Sequence, residues 1–157
     1  MKRGGAIWRP RGIAALVRLM RCKMLRDRLP PRRVAAGWAI GMFIGCAVPF
    51  GFQLVVSIPL AIATKTSKIG AVAATFITNP VTIFFIYPAQ TVAVHRLLFG
   101  SYPRLPEEWT AEAVMAMSGR TVASFLLGGV ALGAILAPCV YFSVLKAVTA
   151  FRRRAAA

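Results

Sequence analysis

The sequence predicts an all-α membrane protein made of broken helices, and three observations predict it. More than half of the 157 residues lie in apolar runs, Val34–Thr64, Ile69–Val94 and Thr121–Leu145, much longer than the about 10–14 residues of a buried soluble helix. A run of about 20 apolar residues rising roughly 1.5 Å per residue covers the hydrocarbon of a bilayer. Two of these runs are interrupted near the middle, at Pro49-Phe50-Gly51-Phe52-Gln53 and at Thr78-Asn79-Pro80. The net charge of +16 is also segregated: 11 of the 20 basic residues precede Val34, and Arg152, Arg153 and Arg154 stand near the end. The expected architecture is a basic amphipathic N-terminal helix in an arm (1–33) and an integral membrane domain (34–151), followed by a basic tail (152–157). The membrane domain is expected to hold short broken or re-entrant helices over 34–63 and 69–96 and a C-terminal transmembrane helix over 120–151.

In the arm, Ile13, Leu16, Val17, Met20 and Met24 share one helical face, with Arg18, Arg21, Arg26 and Arg28 outside it. That pattern fits a helix lying in the membrane interface against anionic head groups. A solvated tail that only sets orientation fits it too. The arm is rich in Arg but lacks the Ser of an organellar presequence, and the apolar run that follows is too long for a secretory signal. It is expected to stay in the mature protein. No stacking aromatics or nucleic-acid motif accompany the charge, so a nucleic-acid partner is not favoured.

The first membrane segment carries Gly37, Gly41 and Gly45 at four-residue spacing, a small-residue ridge that lets another helix approach closely. Pro49 then lacks the amide that would bond the carbonyl of Gly45, and Gly51 suits the turn that follows. The pieces on either side are each too short to cross a bilayer, so the segment reads either as a re-entrant hairpin or as one kinked span. Gln53, just past the turn, is placed to satisfy backbone groups that the break exposes. In the second run Asn79 and Pro80 form an N-cap and first-position pair, so a new helix is expected to start at Pro80. The residues expected around a cavity at the two breaks are Pro49, Gly51, Gln53, Thr78, Asn79 and Pro80.

The connection 97–119 holds three of the four acids, Glu107, Glu108 and Glu112. Pro106 followed by Glu107 and Glu108 reads as a helix start, with Trp109 as an interfacial anchor. Glu107 and Glu112 read as surface charges rather than as a carboxylate pair. The last span carries a second ridge, Gly129 and Gly133. The two ridges fit packing on one another within the chain, in a homo-oligomer or against a membrane partner. Basic ends at both termini put both in the cytoplasm, and a re-entrant first segment keeps Lys65 and Lys68 there as well.

The order of these pieces resembles a family of bacterial membrane proteins, domain of unknown function 2062. The likeness is carried by Ala39-Ile40-Gly41-x-Phe43-x-Gly45, then Pro49-x-Gly51-x-Gln53, then Thr78-Asn79-Pro80 and the aromatic run to Tyr87, and it covers roughly Pro30 to Tyr141. Lys65-Thr66-Ser67-Lys68 departs from it, since the family's turn there is expected to be more Asn-like. The resemblance implies a multi-pass protein of the bacterial inner membrane and carries no activity with it.

Two functions remain in competition. Neighbouring interrupted helices point to a small transport or permeation unit with its site at the breaks, although no Asp, Glu, Arg or Lys lies inside the spans. The alternative is a membrane anchor or assembly partner of a larger complex. An enzyme is not expected: His95, the only histidine, has no nucleophile or acid at helical spacing and reads as a polar edge beside Arg96. The three cysteines, Cys22, Cys46 and Cys139, lack metal-ligand spacing, so neither metal nor cofactor is expected.

Overall fold

Proline brackets the first described helix and lies inside three later ones. In a computed structural model, which describes residues 29–76, 80–107 and 110–156, the first described helix, α1, spans Pro31–Ala47 with Pro30 before it and Pro31 in its first turn, where a missing amide costs no intrahelical bond. Arg32 and Arg33, assigned from the sequence to the arm, therefore form the first turn of α1. The amphipathic helix expected at 13–24 lies outside the described residues.

α1 stops two residues short of Pro49. Gly51, at φ +101°, makes the turn, and α2 follows over Gln53–Ala63. α2 ends with Thr66 N donating to Ala61 O at 2.9 Å and Lys65 N to Ile62 O at 3.0 Å, a Schellman closure with Lys65 at its left-handed position, φ 53°. That position usually favours Gly or Asn, and here Lys65 occupies it. α3 spans Lys68–Thr75 and is capped by Ser67, whose hydroxyl accepts from Gly70 N at 3.0 Å. α4 spans Pro80–Phe99, and residues 77–79 just before it lie outside the described residues. The short helix in the connection begins later than the sequence suggested. α5 spans only Ala111–Met115 and is capped by Thr110, not started by Pro106: the Thr110 hydroxyl takes the Ala113 amide at 3.2 Å, and residues 102–106 are irregular. Trp109 lies outside the described residues. α6, Gly119–Ala156, runs 38 residues and continues through Pro138.

α1 is the centre of the packing, with α6 against one face and α3 against another. α2 folds back along α1, so that Ser67 N, just past its end, donates to Arg33 O at the start of α1 at 3.1 Å. α6 runs antiparallel to α1: Gly129 meets Cys46 and Ala47, Gly133 meets Phe43, Val148 shares a core with Val34 and Trp38, and the Arg152 Nη2 donates to Leu29 O at 2.9 Å. One end of the molecule thereby gathers Arg32, Arg33, Lys65, Lys68, Arg152, Arg153 and Arg154. The acids Glu107 and Glu112 lie in the connection at the other end, both exposed.

Between the two ends the outer surface is apolar. Val55 and Ile62 on α2, Phe84 and Phe85 on α4, and Leu127, Ile135 and Phe142 on α6 are each more than half exposed, an apolar expanse well beyond the scattered residues of a soluble monomer. Among the described residues one helix is long and apolar enough to cross a membrane, Gly119–Arg154, with mean hydropathy 2.1 and most of its apolar window unburied.

The glycine ridges are used inside the chain, but not against one another. Gly37 and Gly41 face Ser67, Ala71 and Ala74 of α3 and its cap, whereas Gly129 and Gly133 sit on α1. Gly45 is buried as well. Any Cβ at Gly41 would overlap Ala71 O and the Ala74 side chain, while Gly119 has open space around it. Replacing Gly41 by Ala is therefore expected to cost about 1–3 kcal/mol through overpacking, more than the roughly 1 kcal/mol that helix propensity returns. Gly119→Ala is expected to stay near wild type. Denaturant unfolding of the two variants in detergent checks this, and equal stabilities would show that the α1–α3 approach is looser than described.

Candidate functional site

The site forms where α1 ends. The last turn of a helix leaves carbonyls with no amide to accept from, and here proline removes one of the few remaining donors. The amide absent from Pro49 would have served Gly45 O, and Phe52 N instead turns to Pro49 O at 3.3 Å, leaving Val48 O open.

Three side chains from α2 and α4 close these carbonyls. Gln53 Nε2 donates to Gly45 O at 3.0 Å and lies 2.7 Å from the Tyr87 hydroxyl, which donates in turn to Val48 O at 2.9 Å. Gln90 Nε2 donates to Cys46 O at 3.2 Å. Gln53 Nε2 also lies 3.2 Å from Val48 O, and the shortest distances together with the proton count select the arrangement. Tyr87 has one hydroxyl proton and spends it on Val48 O, the shorter of its two carbonyl contacts, so it accepts from Gln53. The two amide protons of Gln53 then go to Tyr87 and to Gly45 O. Since every neighbour named here accepts, the amide nitrogen rather than the oxygen must face them. Gln53, Tyr87 and Gln90 are all at least nine-tenths buried, so an unmade bond here would carry the full desolvation cost of about 1–3 kcal/mol.

Packing holds these side chains in place. Tyr87 stands edge-on to Phe125 of α6, ring centroids 4.9 Å apart, in a core completed by Ile83 and Val114. The connection thus folds back over the break instead of standing away from it: Val114 of α5 is 3% exposed, and Thr110 forms a parallel backbone bridge with Phe50. Gly129, beside the end of α1, lies about ten residues or roughly 15 Å into α6, so the break sits well along the molecule's length.

Of the residues expected around a cavity at the breaks, Pro49, Gly51 and Gln53 meet at one place. Pro80 opens α4, and Thr78 and Asn79 lie outside the described residues. The space at the break is a gap of about 90 Å³ lined by Phe50, Gly51, Gln53, Leu54, Thr75 and Phe76, room for only a few waters.

The sequence reading missed the polar face of α4. Tyr87, Gln90, Thr91 and His95 are buried together with Ile83, and their spacing puts them on one side of the helix, against Thr121, Ser124, Phe125 and Gly128 of α6. The signal was present as polar residues recurring at helical period within an apolar run. His95 is not the polar edge expected of it: it is 5% exposed, with Nδ1 2.9 Å from the Ser124 hydroxyl, because its position on α4 continues the face of Tyr87 and Thr91. Gln90 Oε1 and the Ser57 hydroxyl are buried with no hydrogen-bond partner among the described residues. No group of three or more metal-ligating side chains occurs among the described residues.

No curated protein and no solved structure matches the chain. A family match, by contrast, takes in all of the described helices and part of the basic arm, and it includes every residue of the break and of the polar face. The chain belongs to the bacterial family described as uncharacterized protein conserved in bacteria (DUF2062), which matches residues 15–157.

Proposed function

We propose that the chain is a multi-pass protein of the bacterial inner membrane and that it works as a small transport or permeation unit. The observation that carries this is the inside-out distribution along α4, where Phe84 and Phe85 are exposed and Tyr87, Gln90, Thr91 and His95 are buried. Apolar exteriors suit lipid, and polar groups turned inward within such a surface are the usual mark of a solute or proton path. The buried Gln90 Oε1, with no hydrogen-bond partner among the described residues, supports the same reading, since a group desolvated at such cost calls for a reason beyond packing. The row runs from Tyr87, which Gln53 bonds at the break, toward the connection.

The topology follows from charge. Both termini and the Lys65–Lys68 turn lie on the cytoplasmic side, with 34–63 re-entering and the acidic connection outside. The gathering of seven basic residues at one end supports this arrangement. Anionic lipid head groups are the partner proposed for the basic N-terminal arm. In a background without native cysteines, Lys68→Cys is expected to label only from the cytoplasmic side and Glu107→Cys only from the periplasm. Labelling of both from one side would refute the topology.

A membrane anchor or assembly partner is the second reading, favoured by the closure of the break around only about 90 Å³. Since the glycine ridges are occupied within the chain, this reading draws on the exposed apolar faces of α2 and α4. Proteoliposome flux separates the two, with a trapped pH-reporting dye for protons and labelled phosphate as a small anion. Gln90→Leu loses one hydrogen bond and an unpartnered oxygen together, so it is expected to fold with a stability change of about 1 kcal/mol and to lower flux at least tenfold. Absence of protein-dependent flux, or equal flux in the variant, would favour the anchor.

A further inference from the structure

We propose that the cavity between α4, the 101–106 segment and the start of α6 binds a phosphate group that carries a proton, either inorganic phosphate or a phosphomonoester head group. This site does not depend on the transport reading. The cavity is about 750 Å³ and is lined by His95, Ser101, Tyr102, Arg104, Arg120 and Thr121 among others. Two arginines therefore line one space, while neither Glu107 nor Glu112 does. Arg120 lies over the Phe99 ring at 5.5 Å, which positions its charge without neutralising it. Guanidinium groups suit oxyanions because their paired donors match two oxygens at once.

Hydrogen-bond counting narrows the ligand further. Arg96 Nη1 donates to the Tyr102 hydroxyl at 2.6 Å, so Tyr102 keeps its own proton to donate. The Ser124 hydroxyl donates to Arg120 O at 2.8 Å and has no second proton, so in its contact with His95 Nδ1 it must accept. Nδ1 then carries a proton, and Nε2 is the ring nitrogen left to accept one. The Ser101 hydroxyl stands 3.5 Å from Nε2, too long to satisfy it well. The lining thus offers several donors and one waiting acceptor. A hydrogen phosphate or phosphomonoester monoanion presents the complement, with acceptor oxygens for the two arginines and Tyr102 and one P–O–H for Nε2. Sulfate has the same shape and no proton at neutral pH.

Because His95 is the only histidine in the chain, ring 15N NMR of the full-length protein in detergent reads this site alone. Titration with inorganic phosphate or with short-chain phosphatidic acid is expected to shift the Nε2 resonance saturably, with sulfate and the phosphodiester phosphatidylglycerol at least tenfold weaker. A response to inorganic phosphate identifies a solute site, and a response to phosphatidic acid alone identifies a lipid head-group site. Either supports the proposal. Replacing both exposed arginines, Arg104→Gln with Arg120→Gln, is expected to weaken binding at least tenfold, while Lys146→Gln, toward the other end of α6, leaves it unchanged. The proposal is overturned by an unmoved His95 signal with both phosphates, by an equal response to sulfate, or by an equal loss in the Lys146 variant.

Discussion

The structure depends on how the end of α1 is closed. A helix that stops inside a protein must find donors for its last carbonyls, a role that water fills where a helix ends at the surface. Gln53, Tyr87 and Gln90 do it instead, taking Gly45 O, Val48 O and Cys46 O. Gln53 comes from α2, and Tyr87 and Gln90 from α4, so the requirement to satisfy three carbonyls fixes the place of α2 and α4 relative to α1. The fold-back of α5 follows, because Val114 completes the packing around Tyr87 and Phe125.

Close approach is the second constraint, and it acts through backbone rather than side chains. α3 and α6 come near enough to α1 that Gly41 and Gly129 have no room for a Cβ. Packing of this kind gains from dispersion at short range and does not need water to drive it. It also uses up the small-residue surfaces that would otherwise have been available to another chain. What remains outside is long, apolar side chains between a basic end and a mixed one.

The local consequences of proline were legible in the sequence. Pro49 names the carbonyl that its missing amide leaves open, Gly45, and places Gln53 within reach of it. Tyr87, 34 residues beyond Gln53, was not legible, since nothing in its neighbourhood says which distant carbonyl it meets. The same holds for the glycines: their spacing signals close packing, but the partner helix is a tertiary fact. His95 was misjudged because its sequence neighbour, Arg96, is exposed. One residue along a helix turns by about 100°, so adjacent positions face different surroundings.

The central claim is that Gln53 and Tyr87 act together as one cap on α1. A double-mutant cycle with Gln53→Leu and Tyr87→Phe, read by reversible unfolding in bicelles, tests it most directly. The account predicts that the two losses are not additive, with a coupling of about 1 kcal/mol, because removing either partner already disables the shared bond. Additive effects within about 0.3 kcal/mol would mean that the two side chains stabilise the break independently or not at all, and the cap as described would not exist.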